Sequence, residues 1–389
     1  MADILMCAFW AVFAVIFYTF FGYGIFAFFV GKLIPKRKVG LPENKSDYPE
    51  ITVVVAAFNE RDYILQKIEN TFGQSYPVDK IKMIIVADGS SDGTEQVAQS
   101  DQRVTVMFDP PRRGKTAALN RAIPTAESEI VLITDANALL NEDALRNIAQ
   151  HFSNPKVGGV SGEKSIAVDE EDDAASSGEG AYWKYESFLK KCDDRLGTLV
   201  GAPGEIFAFR KELFSPISED TILDDFMLSM KIVLANYALV YEPNAIAVEH
   251  ASADVEEEMK RKVRICAGGW QSMSRLPKAF FFLKNPMVSF VFWSHRVLRW
   301  AVTPFLLPVL FVLNCMLMQA GGLFFVVGMG QVVFYFLAVL GYLYRGRKVK
   351  LKGFFVPYYF WMMNYSAILG LLRHLKGNQS ASWERSKRK

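Results

Sequence analysis

Carboxylates, a glycine-lysine turn and paired arginines recur in this 389-residue chain at the ends of apolar runs, where side chains can meet a ligand. The run ending Val86-Ala87 leads into Asp88-Gly89-Ser90-Ser91-Asp92-Gly93-Thr94. A carboxylate at the carboxyl end of a strand can hydrogen-bond a base or ribose. An Asx-turn that only caps the next helix is the alternative, and Asp92 suits it better than Asp88 does. Arg112-Arg113-Gly114-Lys115-Thr116 enters a helix-like stretch, so backbone N–H groups and the Lys115 charge make an anion site. The spacing is not that of a Walker motif, and a solvated basic turn is the alternative. A buried-type run from Ile130 ends in Asp135-Ala136-Asn137, hard oxygen donors that suit Mg²⁺ or Mn²⁺ carried on a diphosphate. Asp224-Asp225 opens a helix in apolar company. That is a place for a general base, or only for charge that complements the helix dipole. Glu249-His250 offers a metal ligand at His250; Arg261-Lys262-Val263-Arg264 and Gly268-Gly269-Trp270 follow.

The elements that must position these residues are legible between about 42 and 276. Strand-like runs at Ile51–Ala56, Met83–Val86, Val104–Phe108 and Ile130–Thr134 alternate with helix-like stretches at Arg61–Thr71, Gly93–Gln99 and Thr116–Ala126. That alternation predicts βαβ units and a mostly parallel sheet in an α/β domain. The acidic, small-residue stretch from Val168 to Gly180 reads as a mobile surface loop. Composition (51% hydrophobic, 14% aromatic) excludes disorder, collagen and coiled coil. A net charge of +3 is too mild to imply nucleic acid. The four cysteines lie far apart without metal-ligand spacing and read as reduced packing residues.

Ile4 to Val30 carries no charged residue, and a helix of that length measures about 40 Å, enough to span a bilayer. Basic residues follow it, at Lys32, Lys36, Arg37 and Lys38, rather than precede it. Residues 1–31 therefore read as an uncleaved anchor rather than a signal peptide, with the domain on the cytoplasmic side. The aromatic, charge-broken stretch 277–300 reads as an interfacial helix. Residues 301–318 and 321–344 read as spans, ahead of a basic loop from Arg345 to Lys352. Residues 354–372 are long enough to span. The basic tail 373–389 would then face outward, so an in-plane or re-entrant helix is preferred to a fourth span.

Taken in order, Ala57-Phe58-Asn59-Glu60, Asp88, Gly114-Lys115, Asp135-Ala136-Asn137, Gly201-Ala-Pro-Gly204-Glu205, Asp224-Asp225 and Arg261-x-x-Arg264 resemble the membrane-embedded family 2 glycosyltransferases of the GT-A fold. That branch includes the cellulose, chitin, hyaluronan and poly-N-acetylglucosamine synthases. The resemblance covers about residues 50–276. It implies a GT-A mixed-sheet domain with flanking transmembrane and interfacial helices, and a multi-pass enzyme of the inner membrane. The donor would be a nucleotide-sugar, UDP-linked, with Mg²⁺ or Mn²⁺ as cofactor. The acceptor would be a glycan or a lipid-linked sugar among membrane lipids, with other polysaccharide synthesis or export subunits as partners. Phe58, Glu60 and Asp88 would hold base and ribose. Lys115, Arg261 and Arg264 would approach the diphosphate, and Asp135, Asn137 and His250 the metal. Asp225, with Asp224 beside it, would deprotonate the acceptor. Trp183, Tyr185, Gly204 and Glu205 would line the acceptor site. The family's Asp-x-Asp, Thr-Glu-Asp and Gln-x-x-Arg-Trp motifs stand here as Asp135-x-Asn137, Leu223-Asp224-Asp225 and Arg261-x-x-Arg264-Ile265. Trp270 is the nearest substitute for the missing tryptophan. Two alternatives stay open: transfer of one sugar to a polyprenyl-phosphate-linked acceptor, and a catalytically silent scaffold of an export complex.

Overall fold

The uninterrupted β-branched runs form strands buried on both faces, because successive side chains point to opposite sides of a sheet. In β1 (Ile51–Ala57), Ile51, Val53 and Val55 face one apolar layer and Val54 faces the other. β2 (Ile81–Asp88), β3 (Val104–Asp109) and β4 (Ile130–Ile133) flank it, with β2 and β4 alternating in the same way. β5 (Leu139–Leu140), β6 (Val157–Ala167), β7 (Phe207–Arg210) and β8 (Ala238–His250) complete an eight-stranded sheet of order β3-β2-β1-β4-β7-β6-β8-β5. The β3-β2-β1-β4 half is parallel, β7 is antiparallel to both neighbours, and β6 and β8 run parallel. The computed structural model describes residues 2–35, 37, 39–167, 174–250, 255–282, 284–344 and 352–377, apart from the side chains of 174–179, 181, 250, 255 and 352–354.

The helix Arg61–Phe72 covers one face of the parallel half through Ile64 and Ile68, and Lys115–Thr125 covers the other through Ala118, Leu119, Ala122 and Ile123. This is the sandwich that βαβ units build. A third apolar cluster joins the domain to the long helices. It gathers Tyr23 and Ala27, Leu189 and Cys192, Phe226 and Met230, Met273, and Phe292 and Val297.

Among the described residues, three helices are long and apolar enough to cross a membrane: Ala2–Leu33, Pro286–Ala320 and Gly322–Leu343. The stretch expected to lie separately in the interface is instead largely continuous with the second of these. Pro286–Val291, the π-helical Phe292–Val302 and Thr303–Leu317 follow one another without a break. Its basic groups at His295, Arg296 and Arg299 are spent inside the protein, while Lys278 and Lys284 are exposed. The buried His295 bonds Asp193 at 2.5 Å and Glu186 at 3.1 Å, and Arg296 and Arg299 bond Glu186 at 2.8 and 2.9 Å. Lys352–Leu375 is a helix but not one of the three. It packs on Val255–Arg275, with Gly370 so close to Cys266 that an added Cβ would meet its Cβ at 2.6 Å. The acidic stretch expected to be a loop lies outside the described residues at 168–173, and the backbone is helical from Ala174 to Leu196. The basic loop at 345–350 and the tail beyond 377 also lie outside the described residues.

Candidate active site

The loops after β1 and β2 are tied to each other before any ligand is considered. Asn59, at φ 56°, donates its backbone N–H to Ser90 Oγ (3.1 Å) and accepts Ser91 N–H on Oδ1 (2.8 Å). Glu60 N–H donates to Thr94 Oγ1 at 2.9 Å. Asp92 accepts from the backbone N–H groups of Thr94 (3.0 Å) and Arg61 (3.1 Å), so it serves as a turn and cap residue. Asp88 is buried and accepts from Gly114 N–H (2.6 Å), Arg113 N–H (3.0 Å) and Arg121 (3.0 Å). Three of the roughly four acceptor positions of a carboxylate are thereby used, two on the loop that leads to Lys115 and one on the helix that Lys115 opens. Gly89, at φ +69°, lets that loop approach, since a Cβ there would meet Arg112 N at 2.6 Å. The Arg112 guanidinium lies 3.7 Å from the Phe58 ring centroid and so roofs the end of β1.

Beyond this loop the strands deliver charge to one place. Lys115, the first residue of its helix, ion-pairs with Asp135 at 2.6 Å. A Cβ on Gly204 would lie 2.9 Å from Lys115 Nζ and 3.2 Å from Asp225 Oδ2, so one glycine separates the lysine from the candidate base. Asp135, Glu205 and Glu249 each offer an oxygen within 4.8 Å of the others. Lys164 pairs with Glu205 and, at 2.6 Å, with Glu249. Burial, then the neighbouring Asp224 and the more distant Glu205, push Asp225 up to about 7 against the pull of Lys115. Burial also raises Asp135, with Glu205 and Glu249 adding to it and Lys115 opposing. Burial would depress Lys115, but Asp135, Asp224 and Asp225 outweigh it and hold the ammonium charged. Arg264 sits in the same field: burial and Arg261 lower it, while Asp224, Asp225 and Asp135 favour its charge. One oxygen of Asp224 is buried with no hydrogen-bond partner among the described residues.

Asp135, Asp225, Lys115, Arg264, Gly204 and Glu205 thus share one site, with Asp88 linked to it through Gly114. Arg261 acts on both Arg264 and Lys164 by charge and bonds Glu258 on its own helix, at 2.8 and 3.0 Å. Other expected residues are placed differently. The oxygen cluster draws on Glu205, expected at the acceptor, and on Glu249. The side chain of His250 lies outside the described residues. Tyr185 gives its hydroxyl to Phe20 O at 2.7 Å, and Trp270 gives its indole N–H to Ala367 O at 3.3 Å; both therefore tie the domain to the long helices. The Trp183 ring centroid lies 5.5 Å from Nζ of Lys164, the lysine that pairs with Glu205 and Glu249. The ring beside Phe226, the residue after Asp225, belongs to Trp300 (5.5 Å between centroids), which sequence reasoning missed, as it missed Lys164. A lysine at a buried strand position was the available signal for Lys164.

Three carboxylate oxygens at this spacing are the hard donors that Mg²⁺ or Mn²⁺ takes, so the residues present fit a divalent ion. Residues 52–217 match the family model for glycosyl transferase family 2. This stretch is a family 2 glycosyl transferase domain, and the chain is a glycosyltransferase. The transferase is 25% identical over 293 residues to poly-beta-1,6-N-acetyl-D-glucosamine synthase of Staphylococcus epidermidis, covering 70% of this chain and 69% of that one. It is 28% identical over 244 residues to the enzyme of the same name from Staphylococcus aureus, covering 60% and 57%. Its fold is that of the mannosyltransferase PcManGT from Pyrobaculum calidifontis, solved in complex with GDP-Man and Mn²⁺. The TM-score is 0.71 at 22% identity, over 97% of this chain and all of that one. The mixed sheet is accordingly a GT-A domain.

Proposed function

We propose that this transferase moves a sugar from a nucleotide-sugar, UDP-linked, to a hydroxyl of a glycan or lipid-linked acceptor at the cytoplasmic face of the membrane. The observation that carries the reading is Asp225, half-buried, raised to about 7, and separated from Lys115 only by Gly204. The reaction is a single displacement with inversion. The acceptor oxygen attacks the anomeric carbon, its proton passes to Asp225, and the bond to the diphosphate breaks. Lys115 and Arg264 hold the leaving diphosphate by charge. Asp135, Glu205 and Glu249 would hold a divalent ion, which when bound neutralises diphosphate charge. Phe58, Glu60 and Asp88 border the base and ribose. The basic residues after the first apolar helix support the cytoplasmic side.

A short product is favoured over a long polymer. Asn314 and Gln331, polar groups at membrane depth, bond each other at 2.8 Å, and Asn364 bonds Phe360 O of its own helix at 2.8 Å. These groups satisfy one another within and between helices rather than lining a polar path. A screen of UDP- and GDP-sugars on purified protein in lipid, reading released nucleoside diphosphate and product length, tests both points. Release from a UDP-sugar with one or a few sugars added is expected; no release from any donor contradicts the reading.

A further inference from the structure

Lys67 is fully buried in the helix Arg61–Phe72, on the face where Ile64, Ile68 and Thr71 meet the sheet. Among the described residues it makes no ion pair. Its ammonium donates instead to Thr134 Oγ1 at 2.9 Å and to Ala138 O. These are the two shoulders of the Asp135-Ala136-Asn137 turn. Three residues on, Asn70 donates to Leu140 O at 2.7 Å and accepts Leu140 N–H at 2.8 Å. The N-terminus of the same helix carries Phe58–Glu60 and is bonded to the loop after β2. One helix therefore spans the two halves of the candidate donor site, and Lys67 is the pin at the diphosphate end. A buried ammonium without a carboxylate partner is expensive, and an apolar side chain of similar length would fill the same space at lower cost. Burial depresses Lys67 to about 7, with Asp135 and Glu249 opposing.

We propose that Lys67 is a positioning residue for donor binding: by holding both shoulders of the Asp135 turn, it fixes that turn relative to the loop at Phe58–Glu60. The inference rests on the reading that a nucleoside diphosphate sits at these loops. The test uses the full chain in lipid, with UDP and GDP as probes in the presence of Mn²⁺, for Lys67→Met, Thr134→Val and the double variant. Lys67→Met is expected to keep its melting temperature, bind the nucleotide at least tenfold more weakly and raise the donor KM, with acceptor KM unchanged. Thr134→Val is expected to weaken binding in the same direction, and the double variant to be no worse than Lys67→Met. A residue that merely fills the core would leave nucleotide affinity untouched in the methionine variant. Wild-type affinity in Lys67→Met overturns the proposal. If Lys67→Met does not fold, wild-type affinity in Thr134→Val overturns it. A wild-type protein that binds neither nucleotide defeats the donor-site reading and this inference together; binding by wild type with no change in the variants defeats this inference alone.

Discussion

The parallel half of the sheet and the half beyond β4 hold their functional residues by different means. On the parallel side, neighbouring loops lock one another with backbone donors: Asn59 with Ser90 and Ser91, Glu60 with Thr94, Asp88 with Arg113 and Gly114. On the other side, ion pairs buried at a helix junction do the work. Glu186 gathers His295, Arg296 and Arg299, and Asp193 accepts from Tyr23 of the first apolar helix as well as bonding His295. A loop lock is short-range and tolerant of change at its surface. A buried charge cluster ties the domain to the long helices and fails when one member is lost.

The largest contrast should appear between losing a carboxylate of the buried cluster and losing one that only touches the parallel side's loop from its surface. Glu186→Ala strands three buried cationic or basic groups, and breaking a buried pair costs about 3–5 kcal/mol. Glu219→Ala removes an exposed partner of Arg113, and such pairs contribute roughly 0–1 kcal/mol. Thermal unfolding of the two variants in the same detergent measures the difference; equal losses would break the comparison. Gly204→Ala should have a smaller effect, aimed at chemistry rather than stability. The added methyl meets the mobile end of Lys115 and the Asp225 carboxylate, so turnover should fall about tenfold, a displacement of about 1.4 kcal/mol in the barrier, with little change in unfolding temperature. The mildest probe is pH. With Asp225 raised to about 7, the base is protonated below that value, so turnover should climb as pH rises through about 7 and level off above it. A profile flat from pH 5.5 to 8.5 would remove Asp225 from the role of base.

The same contrast explains what could be read from sequence. β1, β2 and β4 were legible because β-branched runs buried on both faces leave no other period, and the acids at their ends came with them. Asp135, Asp225 and Lys115 followed from strand-end and helix-start logic. The partners of the basic groups in 277–300 were not legible, because His295, Arg296 and Arg299 are answered by Glu186 and Asp193, about a hundred residues earlier in the chain. Nothing local in Phe292–Val302 encodes those partners. Glu249, Lys164 and Trp300 were hidden for a related reason: each acquires meaning only where β6, β8 or a membrane-type helix meets the loop ends, and sequence spacing does not report that meeting.

The central claim is that charges from distant stretches converge so that Asp225 takes the acceptor proton. Asp225→Asn removes the base while keeping the shape, and turnover with a productive donor should fall by about 10²–10⁴, while binding of the nucleoside diphosphate stays within a few-fold of wild type. Measured side by side on the same preparation, that split supports the account; wild-type turnover by Asp225→Asn contradicts it.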